Sequence, residues 1–163
     1  MISGEISLLG ITFNINPNGL EEAFDKAVEE GLTPKAIISV DLFGLPARFR
    51  LISEFAKGKN LFLLEDAAQG FGGSIGDQKA CSFGDVSATS FFPAKPLGCY
   101  GDGGAIFTNN DELAGKMESI RIHGGGENKY DNIKGNYLPV LYRYPMNLLQ
   151  SFLQYKTLEK CTE

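Results

Sequence analysis

The sequence predicts an α/β fold: three layers, with helices on both sides of a mostly parallel sheet. Two observations carry this. Short apolar, β-branched runs alternate with amphipathic helical stretches, and polar residues stand directly after the apolar runs, where open α/β sheets place their ligands. The 163 residues, 43% hydrophobic and 21% charged, are enough for one core.

Asn18 followed by Glu21 has the spacing of a capping box. Leu20, Ala23, Phe24, Ala27 and Val28 recur at helical spacing, so 19–30 is expected to be a helix ending at Gly31, its stripe facing a core. AIISV at 36–40 reads as a strand covered on both faces, closed by Asp41. A second helix is expected over 46–57 with Leu51, Ile52, Phe55 and Ala56 inward, and LFLLE at 61–65 repeats the buried-strand pattern, completing a βαβ unit. A Gly-rich loop, AAQGFGGSIGDQKA, leads to strands DVSATSFF at 85–92 and GGAIFT at 103–108. Asn110 can cap a helix over 111–121 with Leu113, Met117 and Ile120 on one side, which Gly124, Gly125 and Gly126 break. Beyond it, 125–145 is polar and irregular, and 146–160 has a moderate helical pattern through Leu149, Phe152 and Leu153.

Composition excludes several classes of function. The longest apolar runs, such as LFLL at 61–64, fall far short of the roughly 20 residues needed to span a bilayer, and MISGEISLLG lacks the features of a secretory leader, so a cytoplasmic protein is expected. Cys81, Cys99 and Cys161 are widely spaced with only His123 as a companion, which argues against a disulfide framework or a metal site. A net charge of −5 without a basic run argues against nucleic-acid binding.

Asp66 ends the 61–65 strand and Lys95 follows the 85–92 strand by a few residues, so parallel strands would bring both groups to one sheet edge. Pro93 and Pro96 flank Lys95 and hold it in extended, irregular backbone. On spacing alone, a solvated charge or an ion pair is the better account of either residue. GCYGDGG at 98–104 lacks a full phosphate-loop pattern and is read as a turn needing positive φ. His123, alone after a helix end, is assigned no catalytic role. GGSIG at 72–76 and HGGG at 123–126 raise a serine hydrolase using Ser74. That reading fits badly: no helix is expected after Ser74, the motif order is reversed, and the one histidine would have to serve twice.

EDAAQGFGG at 65–73, SFFPAKPLGCYGDGGAIFTNNDELA at 90–114, PKAIISVDLFGLPA at 34–47 and RIHG at 121–124 together resemble the DegT/DnrJ/EryC1/StrS family of sugar aminotransferases, over about residues 12 to 124. The resemblance implies part of the large domain of a fold-type-I enzyme that uses pyridoxal 5′-phosphate (PLP). It implies Lys95 as the Schiff-base lysine and proton shuttle, and Asp66 as the carboxylate on the pyridine nitrogen, which keeps the ring cationic and able to accept electrons. Gln69 would lie beside the cofactor's 3-hydroxyl and Ser90 would hydrogen-bond its phosphate; a loop-surface amide and a backbone-bonded strand hydroxyl are the alternatives, and both residues rank below Lys95 and Asp66. The implied reaction moves an amino group, usually from L-glutamate, to a keto carbon of a nucleotide-linked sugar. SFFPAKPLGCYGDGG looks closest to enzymes acting on UDP-linked keto sugars for surface polysaccharides, and the intact relative would be a homodimer.

Three segments follow: an atypical N-terminal stretch at 1–11, a partial PLP-binding domain at 12–124, and a linker with the truncated start of a small domain at 125–163. The family's N-terminal glycine-threonine or glycine-serine helix start and stacking aromatic are not visible, and GNYLPVLYRYP departs from the family, so Asn136 carries no role. An inactive fragment or a degenerate paralogue, with little or no cofactor binding, is the alternative.

Overall fold

The computed structural model describes residues 12–121. Helix α1 (Leu20–Glu29) precedes strand β1 (Ala36–Val40), helix α2 (Phe49–Gly58) and strand β2 (Phe62–Asp66). A hairpin of two short strands, β3 (Ser74–Ile75) and β4 (Gln78–Lys79), interrupts the path to β5 (Val86–Ser90), β6 (Gly104–Phe107) and helix α3 (Asp111–Arg121). The main sheet has the order β1-β2-β5-β6, with β1, β2 and β5 parallel and β6 antiparallel at one edge. This is the α/β architecture and mostly parallel sheet expected from the alternating pattern.

One face of the sheet carries the core. Ile37, Leu63 and Leu61 meet Phe49, Ile52 and Ala56 of α2 and Leu20 of α1, and Phe49 stacks on Phe83 with ring centroids 4.7 Å apart. Helix α1 closes the cluster through Phe24, edge-on to Phe55, while the ammonium of Lys59 sits 4.7 Å over the Phe24 ring.

Four local expectations change. The capping box does not form: Asn16 caps a short 3-10 turn, Pro17–Gly19, by accepting from Asn18 N–H at 3.1 Å, and Gly19 precedes α1 without a side-chain cap. Helix α2 starts at Phe49 rather than 46, because Asp41 to Arg48 form a tight connection held by bonds such as Ala47 N–H to Asp41 Oδ1. Among the described residues strand β1 is covered on one face only; Ile38 is 56% exposed on the other. The apolar stripes of α1 and α3 are also only partly covered, with Val28 and Ile120 exposed. The helix over 111–121 forms with its expected cap, Leu113 N–H donating to Asn110 Oδ1 at 3.0 Å. Expectations for 1–11, for His123 to Gly126 and for 125–163 lie outside the described residues.

Candidate functional site

The parallel register determines which residues share a face. Asp66, the last residue of β2, lies between Val40 of β1 and Ala88 of β5. Side chains alternate along a strand, so Ser90, two residues past Ala88, stands on the same face as Asp66, with Cα atoms about 8 Å apart from strand spacing and rise. This is the face left uncovered among the described residues, where Ile38 and Ile106 are 56% and 58% exposed. The alternate residues Ser39, Glu65, Ala67 and Ser87 point into the helix-covered face and are fully buried or nearly so.

Lys95 follows in a turn stitched to the sheet edge. Its N–H donates to the Phe92 carbonyl at 2.9 Å, Cys99 N–H to the Phe91 carbonyl at 2.9 Å, and Phe91 N–H to the Gly103 carbonyl at 2.7 Å. Gly98 is pressed onto the Pro93 carbonyl, which a Cβ there would approach to 2.4 Å. Gly101, at φ 127°, supplies the positive φ expected of GCYGDGG. The ammonium-bearing residue is thus half-buried in a tied loop, and it shares an open groove with Ser90, Phe92, Gly104, Met117 and Arg121.

Asp66 and Gln69 lie outside that groove's lining. Asp66 is half-buried, and its Oδ1 accepts the Ala68 N–H at 3.0 Å in a local turn. Gln69 turns toward the loop after β1: its Oε1 accepts the Phe43 N–H at 2.7 Å, where Phe43 adopts φ 57°, a costly conformation for a bulky residue. The Gln69 amide nitrogen remains to donate elsewhere. The Ser90 Oγ accepts the Phe92 N–H at 3.2 Å, which leaves its own proton to donate. Groove and register together bring Lys95, Ser90 and Asp66 to one sheet edge, whereas Gln69 bridges the first two connections beside it.

Two acids that the sequence reading passed over lie directly beneath. Glu65 is fully buried, accepting from Cys81 N–H at 2.6 Å, Phe83 N–H at 2.8 Å and the Ser87 hydroxyl at 2.5 Å. Asp41, also fully buried, accepts from Ala47 N–H through Oδ1, while its Oδ2 has no partner among the described residues. Their signal was position: each stands at a strand end in the inward register. Burial, with the nearby charge of Glu65, pushes the Cys81 thiol up to about 11, so it is not a nucleophile at neutral pH.

Ser74 begins β3, is exposed, and leads through Gly76 at φ 58° into β4 instead of a helix. A nucleophile elbow is therefore absent there. No group of three or more His, Cys, Asp or Glu residues is disposed to hold a metal among the described residues, and no described helix is long and apolar enough to cross a membrane.

The chain resembles UDP-2-acetamido-2-deoxy-3-oxo-D-glucuronate aminotransferase of Pseudomonas aeruginosa, with 46% identity over 76% of this chain and 32% of the relative. Among solved structures, a DegT DnrJ EryC1 StrS aminotransferase from Brucella abortus superposes with a TM-score of 0.76 at 50% identity, covering 78% of this chain and 35% of that one. NtdA of Bacillus subtilis, solved with the cofactor PMP bound, superposes at 0.64 and 34% identity over 76% of this chain and 26% of its own. The chain spans about a third of the length of the curated relatives it matches. The family model for the DegT/DnrJ/EryC1/StrS aminotransferases matches residues 8–163, and with these likenesses it shows that the chain belongs to the DegT/DnrJ/EryC1/StrS aminotransferase family.

Proposed function

We propose that residues 12–124 are the PLP-binding part of a nucleotide-sugar aminotransferase large domain, with 125–163 a linker and the start of a small domain. The observation that carries this is the shared edge: Asp66 and Ser90 on one sheet face by register, and Lys95 in the tied turn that follows β5. A carboxylate, a hydroxyl with its proton available and a half-buried amine suit a flat heterocycle with a basic ring nitrogen, a phosphate and a carbonyl carbon. When bound, PLP supplies an electron sink for the charge left when a substrate carbon loses a proton.

The chain's own residues supply the rest. Asp66 holds a proton on the ring nitrogen, and an anion in that place keeps the ring cationic. Ser90 donates its hydroxyl proton to a phosphate oxygen, and Gln69, its oxygen already engaged by Phe43 N–H, donates from nitrogen to the ring oxygen. Lys95 Nζ would anchor the cofactor and, once a substrate amine displaces it, carry the proton between the substrate carbon and the cofactor's C4′ carbon; the stitched loop keeps it in reach.

The proposed substrate is a keto sugar linked to a nucleotide, specifically UDP, in surface polysaccharide synthesis; the UDP-linked 3-oxo sugar in the name of the Pseudomonas aeruginosa relative supports the nucleotide and the keto group. L-Glutamate is the proposed amino donor, and the intact protein is proposed to act as a cytoplasmic homodimer.

Adding PLP to the purified chain is expected to produce a visible absorbance band that Lys95→Ala abolishes, and borohydride reduction to leave the added mass on the Lys95 peptide. A parent chain without a band in excess PLP would overturn the reading and leave an inactive polypeptide. Calorimetry against UDP- and dTDP-linked sugars tests the nucleotide: tighter dTDP binding would overturn that part. Fluorophosphonate labelling at Ser74 would favour the hydrolase instead.

A further inference from the structure

We propose that Asp41 and Glu65 form a proton-sharing carboxyl pair beneath the candidate site, and that Asp41 is thereby a positioning residue for the loop carrying Gln69. The consequence for Gln69 rests on the function proposed above; the chemistry of the pair does not.

Both side chains are 0% exposed on the helix-covered face, where Glu65 lies opposite Ser39 and Asp41 follows the Val40–Asp66 pair. Glu65 uses both oxygens as acceptors for three donors. Asp41 Oδ2 is buried with no donor among the described residues. An ionised oxygen there bears its desolvation cost uncompensated, whereas a protonated one becomes a donor, and Glu65, diagonal to Asp41 across the β1–β2 register and buried on the same face, is the acceptor within its reach. The charged groups that act on Asp41 are Glu65 and Asp66 of β2; the Cys81 thiol adjoins it, and Arg48 and Arg50 at the start of α2 are exposed. Burial foremost, then Glu65 and Asp66, push Asp41 up to about 7 against the pull of the Ala47 N–H.

Asp41 also forms the seam between the two loops at the site. Its N–H donates to the Asp66 carbonyl at 3.0 Å, and a Cβ on Gly70 would come within 2.4 Å of its Oδ2. Gly44 and Gly73 also lie tightly against the facing loop, though less so: added Cβ atoms would lie 3.3 Å from the Gln69 carbonyl and 3.1 Å from the Gly44 carbonyl, respectively. Losing the shared proton sets two buried anions against each other in this seam, and their repulsion loosens the Phe43–Gln69 bond that orients the amide.

The test compares the full chain with Asp41→Asn, whose amide donates to Glu65 at every pH and still accepts from Ala47. Between about pH 4 and pH 7 the parent's folding constant is expected to fall by up to about tenfold per pH unit more than that of the variant. Equal slopes would overturn the pair. The second measurement needs no variant: infrared spectra of carboxyl-labelled parent are expected to hold a protonated C=O band at about pH 6 that vanishes as pH rises through the Asp41 transition, and its absence would also overturn the pair. For positioning, the PLP absorbance band of the parent is expected to weaken above neutral pH while that of Asp41→Asn does so less; identical profiles would overturn Asp41's role toward Gln69. A parent that binds no PLP defeats the proposed function and leaves the unfolding and infrared results to decide the pair.

Discussion

Gly70 has no side chain because Asp41 occupies the space one would need. Its backbone takes no positive φ, so the requirement is one of volume: an added Cβ would sit 2.4 Å from Asp41 Oδ2 and 2.6 Å from Asp41 Cβ. Asp41 is fully buried and bonded to Ala47, so it has nowhere to retreat. Gly70→Ala is therefore expected to destabilise the fold by about 1–3 kcal/mol, the usual cost of overpacking, read as a lowered denaturant midpoint at unchanged m-value. The places of Asp66 at the end of β2 and of Lys95 in the turn after β5 were legible in the sequence because strand ends and proline flanks are local signals. The partner of Gln69 was not, since it depends on how two loops meet, and Glu65 was masked by its neighbour Asp66 although alternation alone turns one inward and the other out.

At the scale of elements, the helices and main strands were legible because their apolar periods are long enough to read. The hairpin β3–β4 was not: two residues per strand give no period, and its only local mark is the Gly76-Asp77 turn. One-sided coverage of β1 was missed because a run such as AIISV looks alike whether one face or both are buried. The caps divide in the same way. Asn110 precedes its helix with nothing in competition, whereas Pro17 diverts the chain before α1 into a 3-10 turn that takes Asn16 instead of Asn18. Asn110→Ala removes the acceptor of the Leu113 N–H and is expected to cost about 0.5–2 kcal/mol, with amide exchange accelerated first in the opening turn of α3. Asn18→Ala, which loses no described side-chain bond, is expected to leave stability within about 0.5 kcal/mol of the parent.

For the molecule as a whole, two sets of charges respond to different variables. The ion pairs Arg50–Glu54, Lys59–Glu21, Lys116–Glu112 and Arg121–Glu118 all lie at the surface, where such pairs contribute little and salt screens them. Lys116 and Arg121 hold the carboxyls of Glu112 and Glu118 below their ordinary values, so any stability they add is present at neutral pH and lost only in acid. Asp41 has the opposite sign. Its carboxyl is raised to about 7, so the folded state keeps a proton that the unfolded chain releases near pH 4, and stability falls as pH rises between those values and then levels off. With one proton retained across that window the fall is at most roughly 4 kcal/mol, and it arises where the protein excludes counter-ions. Raising salt toward about 1 M, where the Debye length is about 3 Å, is expected to flatten the acid-side contribution of the surface pairs and leave the Asp41 decline standing. Urea unfolding at low and high salt from pH 4 to pH 8, on parent and Asp41→Asn, checks this, and the single histidine, His123, cancels in the comparison. A decline that salt removes would assign the pH dependence to the acidic surface, with its net charge of −5, rather than to the buried pair.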